Sequence, residues 1–163
     1  MVNLTVSRFD AVVTVCKDIF IKKMTDYGSA WRILRVRSIT DQIFIKARRI
    51  RSIKDKGTQK VSEGIRGEYI GIVNYAIIAL IQLEINDEKQ LRLSTEKAGK
   101  LFDRHASEAR SLMENKNYDY DEAWKKMRIS SLTDIILMKL LRIKQIEDNE
   151  GETIASEGIA SNY

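Results

Sequence analysis

Apolar residues recur every three or four positions along most of this chain, and strict alternation is absent, so the pattern predicts helices throughout. A first helix over about 6–23 carries Phe9, Val12, Val13, Cys16, Ile19 and Phe20 on one side. Asp26-Tyr27-Gly28 ends it, and a short helix follows around Trp31 and Leu34. Ser38-Ile-Thr-Asp41 has the spacing of a capping box and predicts the start of a third helix running to about Ile53. A loop over 57–62 leads to a fourth helix over about 63–83. That helix is apolar on nearly every face, which predicts a central, buried element with Asn74 in need of polar partners. Residues 85–95 read as a connector, with Ser94 or Thr95 capping the next helix. Further helices are expected near 96–116, 121–128 and 132–147, with one beginning at 154.

This order is a repeat. Residues 26–55 and 119–148, offset by 93, are identical at fourteen of thirty positions, where chance gives about two. The identities include Trp31/Trp124, Ser38/Ser131, Thr40/Thr133, Asp41/Asp134, Lys46/Lys139 and Arg49/Arg142. The match extends upstream through Phe9/Phe102, Asp10/Asp103 and Lys23/Lys116. With one inserted residue it continues through Ser62-Glu-Gly-Ile65 against Ser156-Glu-Gly-Ile159, and Tyr69 against Tyr163. The expected architecture is a single all-α domain over 1–163, with two tandem repeats, 4–84 and 96–163, packed as a pseudo-two-fold helical bundle. Repeat two stops where repeat one begins its most apolar helix. By the repeat's own measure it lacks most of its last helix, about fifteen residues. The expectation is a truncated chain, or a second copy covering the apolar fourth helix, Tyr69 to Leu83, in a homodimer.

Composition narrows the class. The 163 residues include no proline and 44% apolar residues, which suits an all-α core and argues against a β-sandwich. A single cysteine, Cys16, and a single histidine, His105, exclude a disulfide framework, a Cys/His zinc site and a Ser-His triad. A bound metal would need carboxylates, pointing to Mg²⁺ or Mn²⁺. The N-terminus lacks the pattern of a secretory signal, and the longest apolar run is too short to span a membrane, so a cytoplasmic protein with no membrane partner is expected. The net charge of +5 is concentrated: residues 32–60 hold ten basic and two acidic groups. Such a segment suits phosphates, of a nucleotide or of nucleic acid, although a solvated helix face also accounts for it.

Lys23-Met-Thr-Asp26-Tyr27-Gly28, followed by Lys46-Ala-Arg-Arg49 and Asn74-Tyr75-Ala76, resembles the nucleotide modification associated domain family of the first type, formerly a domain of unknown function in bacteria and phages. Repeat two keeps Lys116-Asn-Tyr-Asp119-Tyr120, with Asp121 replacing the glycine, and Lys139-Leu-Leu-Arg142. The closest likeness is to the duplicated bacterial members. The resemblance implies action on nucleotides or modified DNA bases, and a distant similarity to MazG-like all-α NTP pyrophosphohydrolases. Those enzymes hold Mg²⁺ with carboxylates on adjacent helices, often including a Glu-x-x-Asp element. The corresponding stretch here is Glu68-Tyr-Ile-Gly71, with glycine in the last place.

The leading expectation is therefore a nucleotide-related protein, either a Mg²⁺-dependent (deoxy)nucleoside triphosphate pyrophosphohydrolase or a factor in base modification. Asp26, Glu63 and Glu68 would hold the metal. Lys23, Lys46, Arg49, Lys116, Lys139 and Arg142 would hold phosphates, and Tyr27, Trp31 and Tyr120 the base. Asp119, Asp134 and Glu157 are the second-repeat candidates. Plainer readings stand beside these: Asp26-Tyr-Gly as turn chemistry, Asp41 and Asp134 as caps, Glu63, Glu68 and Glu157 as first-turn acids, and both tryptophans as core. The alternatives are a non-catalytic nucleotide- or nucleic-acid-binding module and a structural or partner-binding bundle.

Overall fold

The computed structural model describes residues 3–62, 64–87 and 89–163. Among them the chain forms five α-helices and no strand: α1 Leu4–Tyr27, α2 Val36–Lys56, α3 Ile65–Glu84, α4 Thr95–Tyr120 and α5 Ile129–Asp148. Three 3₁₀ turns complete it: η1 Ala30–Ile33, η2 Ala123–Lys126 and η3 Ala160–Asn162. No helix among the described residues is long and apolar enough to cross a membrane. The protein is all-α, and its two compact units cut across the repeats. One comprises residues 1–33 and 86–127; the other comprises 34–85 and 128–163.

The first unit pairs α1 with α4, the opening helices of the two repeats. Cys16, Phe20 and Met24 of α1 and Ala98, Phe102 and Ala106 of α4 are buried, and the Phe20 and Phe102 rings lie 5.1 Å apart. Two ion pairs flank this core. Arg110 donates to both carboxylate oxygens of Asp10, at 2.8 and 3.2 Å, and Lys17 donates to Asp103 at 2.7 Å. The 93-residue offset converts each pair into the other, and the crossed order makes the helices antiparallel. The Arg110 guanidinium holds the exposed Asp10 carboxyl below its ordinary range.

The second unit is built the same way from the third helices, α2 and α5, with α3 packed on α2. Ile39, Ile43, Ala47 and Ile50 of α2 and Leu137, Leu140, Ile143 and Ile146 of α5 are buried. Asp41 pairs with Lys144 at 2.9 Å and Asp134 with Arg51 at 3.6 Å, again exchanged by the offset. Buried Thr40 bonds the Tyr163 hydroxyl, and buried Thr133 lies 3.1 Å from the Tyr69 hydroxyl. Each unit is thus an antiparallel pseudo-two-fold in which a helix of repeat one meets its own counterpart.

Several expected boundaries and roles shift. α2 begins at Val36, with Arg35 at its cap and no side-chain cap bond, so Ser38 and Asp41 lie inside the helix and make no capping box. α5 likewise begins at Ile129, which places Ser131 and Asp134 inside it. These acids are used across helices instead of within one. The last helix expected from residue 154 is reduced to η3, because residues 154–156 bend and only Ala160–Asn162 turn. α3 is largely covered within the chain, with Leu83 its exposed large apolar residue. The turn after α1 uses Gly28 at φ 61°, whereas after α4 Asp121 and Glu122 take φ 49° and 50°, a left-handed pair that costs more without glycine.

The reciprocal pairs predict a symmetric coupling. Double-mutant cycles for Asp41/Lys144 and for Asp134/Arg51, with alanine at each position, give couplings of about 0.2–1 kcal/mol each in urea denaturation. The charge swap Asp41→Lys with Lys144→Asp recovers most of the single-variant loss.

Candidate functional site: paired Lys–Arg positions

On α2, Lys46 and Arg49 stand three residues apart and share a helix face. Both engage Glu68 in the first turn of α3. Arg49 Nη1 donates to Glu68 Oε1 at 2.7 Å, and Lys46 Nζ lies 3.5 Å from Oε2. Glu68 is buried while the two cations keep about a quarter of their side-chain surface, so the trio carries a net positive charge. Gly71 makes this geometry possible. A Cβ there would lie 2.8 Å from Lys46 Cε and 2.9 Å from Cδ, so the lysine stem occupies the space that a side chain on α3 would fill. The glycine that replaces the expected acid therefore has a packing reason. The ammonium also sits 6.0 Å from the Tyr75 ring centroid.

The equivalent positions on α5 are Lys139 and Arg142. The aligned partner of Glu68 is Asn162, which donates Nδ2 to the Gly158 carbonyl at 2.9 Å. Among the described residues no ion pair engages Lys139 or Arg142, and Arg142 is exposed. The same cationic pair thus holds a carboxylate in one repeat and is left without its acid in the other.

The solvent side of α2 adds a cleft of about 530 Å³. Ile45, Arg48, Arg49, Arg51, Ser52, Asp55 and Lys56 line it, so the charge excess of the segment becomes a physical surface. On α5, Glu147 accepts from Thr40 Oγ1 at 2.6 Å, and Thr40 also bonds the Tyr163 hydroxyl. Burial raises the Glu147 carboxyl above its ordinary value, and burial likewise raises the Tyr163 phenol.

The remaining candidates are dispersed. Lys23, Asp26 and Tyr27 are exposed at the end of α1, and Lys116, Asp119 and Tyr120 at the end of α4. Trp31 packs its ring 6.2 Å from Phe20 and donates Nε1 to Met24 Sδ, which makes it part of the first unit's core. Asp134 is held by Arg51, Glu157 is exposed before η3, and Glu63 lies outside the described residues. Asp26 and Glu68 belong to different units. Among the described residues no three His, Cys, Asp or Glu side chains converge as a metal would require. With both its oxygens facing cations, Glu68 is a poor Mg²⁺ ligand. Charge counting found the α2 surface, but Arg51, Lys56, Glu147 and Asn162 were not singled out by any motif, and Arg48 entered only inside Lys46-Ala-Arg-Arg49. Asn162 could have been found by carrying the repeat alignment through to Glu68.

Fold and surface together define a duplicated all-α protein with cationic helix faces. A family model, nucleotide modification associated domain 1, matches residues 23–83 and again 116–163, two segments whose starts differ by the repeat offset. The chain belongs to this family. No curated protein and no solved structure matches it significantly.

Two outcomes follow for stability. Glu68→Gln removes the charge that Arg49 and Lys46 share and costs about 2–3 kcal/mol by chemical denaturation, much of which returns when Arg49→Met is added. For Glu147 the folded carboxyl binds its proton more tightly than the unfolded one. Its contribution is therefore full below the ordinary carboxyl value and is lost as pH rises through the raised one. Glu147→Gln, measured by thermal denaturation from pH 4 to pH 8, flattens that decline.

Proposed function

We propose that this member of the family binds a phosphate-bearing nucleotide, with Lys139 and Arg142 as its anion site. One observation carries the reading: repeat one fills the space between Lys46 and Arg49 with the Glu68 carboxylate, and repeat two offers the same pair with Asn162 in place of the acid. Arg142 would grip a phosphate through its fork of N–H groups, and Lys139 would neutralise it as a point charge. A polyanion reading draws on the α2 cleft, where Arg48, Arg51 and Lys56 would follow a nucleic-acid backbone. Among the described residues no acidic cluster supports pyrophosphohydrolysis; release of pyrophosphate from canonical and modified dNTPs with Mg²⁺ or Mn²⁺ is its direct check.

The test is reciprocal. A panel of canonical and modified (deoxy)nucleoside mono- and triphosphates should raise the melting temperature of the wild-type protein. Arg142→Ala should weaken binding about tenfold, as loss of a charge-assisted bond does. Asn162→Glu should supply the missing carboxylate, raise the ligand-free melting temperature and abolish the ligand shift. A panel without effect, or a shift indifferent to Arg142→Ala, sinks the reading. Binding of single-stranded DNA that falls steeply with salt and depends on Arg48 and Lys56 would favour the polyanion alternative instead.

A further inference from the structure

The turn after α1 and the connector enclose a second cleft, of about 440 Å³, within the first unit. That volume lies in the range of roughly 300–1,000 Å³ typical of small-molecule sites. Tyr27, Gly28 and Ile33 form one wall, and Leu91 and Arg92 the other. The two walls are fastened to each other. Ser29 Oγ donates to the Leu91 carbonyl at 2.9 Å and accepts from the Leu93 amide at 3.0 Å. Buried Arg32 adds Nε to the Gln90 carbonyl and Nη2 to the Asp87 carbonyl, each at 3.1 Å. The connector has no helix of its own, so these bonds fix its path, and the cleft is pre-formed at its floor.

What the walls leave open has a definite chemistry. Tyr27 is 72% exposed, Ile33 71% and Leu91 44%, so one flat aromatic face and two aliphatic side chains meet water together. Gly28 takes φ 61°, and a Cβ there would meet nothing within 4 Å, so the backbone between Tyr27 and Ser29 is bare. Arg92 is the one charged residue that lines the cleft, and it is exposed. Among the described residues nothing bonds its guanidinium or its main-chain N–H. Lys23 and Asp26, on the preceding turn of α1, do not line the cleft. Its lining therefore carries one positive charge and no negative one. An aromatic face suits a flat ring, aliphatic walls suit the ring's edges, and a free guanidinium fork suits a phosphate attached to it.

We propose that this cleft binds a single nucleoside monophosphate, its base against Tyr27, Ile33 and Leu91 and its phosphate on Arg92. The ring-and-anion chemistry is read from the cleft, whereas the choice of a nucleobase over other flat rings rests on the nucleotide reading above. The site draws on the first unit alone and is separate from the Lys139–Arg142 pair on α5.

Purine and pyrimidine (deoxy)nucleoside 5′-monophosphates are the probes, titrated into the ¹⁵N-labelled full chain and followed by amide chemical shifts. Saturable shifts centred on residues 27–33 and 91–93 are expected, with a dissociation constant on the order of 1 mM or below. Tyr27→Ala should weaken binding about tenfold, the loss of one base–aromatic stack. Arg92→Ala should weaken it about as much and make the monophosphate no better than its nucleoside. Both side chains are exposed, so both variants should keep wild-type helical content by circular dichroism. Arg142→Ala should leave these shifts unchanged, so that failure here and failure of the α5 anion site are told apart. No shift in these segments at millimolar nucleotide, or shifts indifferent to Tyr27→Ala and Arg92→Ala, overturns the proposal. Nucleosides that bind the wild-type chain as tightly as their monophosphates overturn it too. A single-stranded oligonucleotide that binds these residues at least about a hundredfold more tightly assigns the cleft to a strand, and overturns the free-nucleotide form.

Discussion

A helix that packs antiparallel against its own duplicate must make every contact twice. That constraint organises both units here. Asp10–Arg110 implies Lys17–Asp103, and Asp41–Lys144 implies Asp134–Arg51; each holds because the offset exchanges the partners. The two threonine–tyrosine contacts obey the same rule. These surface pairs are individually weak, but a register in which all of them form together brings α1 onto α4 and α2 onto α5 without ambiguity. The repeats consequently do not fold as two separate halves; each compact unit draws one helix or more from both.

Symmetry makes the departures informative. Glu68 has Asn162 as its counterpart, Lys54 has Glu147, Arg32 has Lys125, and Gly28 has Asp121. Where repeat one closes a cationic pair on a buried carboxylate, repeat two leaves the pair without one. Where the connector bonds Ser29 and Arg32 of the first 3₁₀ turn, the second turn leaves Trp124 43% exposed. The chain's membership of a nucleotide modification associated family motivates the proposal that the first difference serves a phosphate, the anion such a pair suits.

Helix order and most helix ends were legible from the 3.6-residue period and the Gly28 and Gly57 stops, and the alignment of repeats anticipated the pseudo-two-fold. The roles of the acids were not. Ser38 and Asp41 have capping-box spacing, but spacing along one helix carries no information about Lys144, a hundred residues away. The same limit hid the Glu68 trio: Lys46 and Arg49 were visible as a pair, while the carboxylate that occupies them comes from another helix. Gly71 was conspicuous only as a missing acid, because the lysine stem that needs its space is contributed by α2.

Sequence by itself determined that this chain is helical, duplicated and basic in one segment, because periodicity, self-similarity and charge are properties read along the chain. It also determined which residues would have equivalents. Only the tertiary structure decided which equivalents are spent on each other and which face water. That decision depends on distances between helices far apart in sequence, where a few ångströms separate an ion pair that closes a site from a cation that faces water.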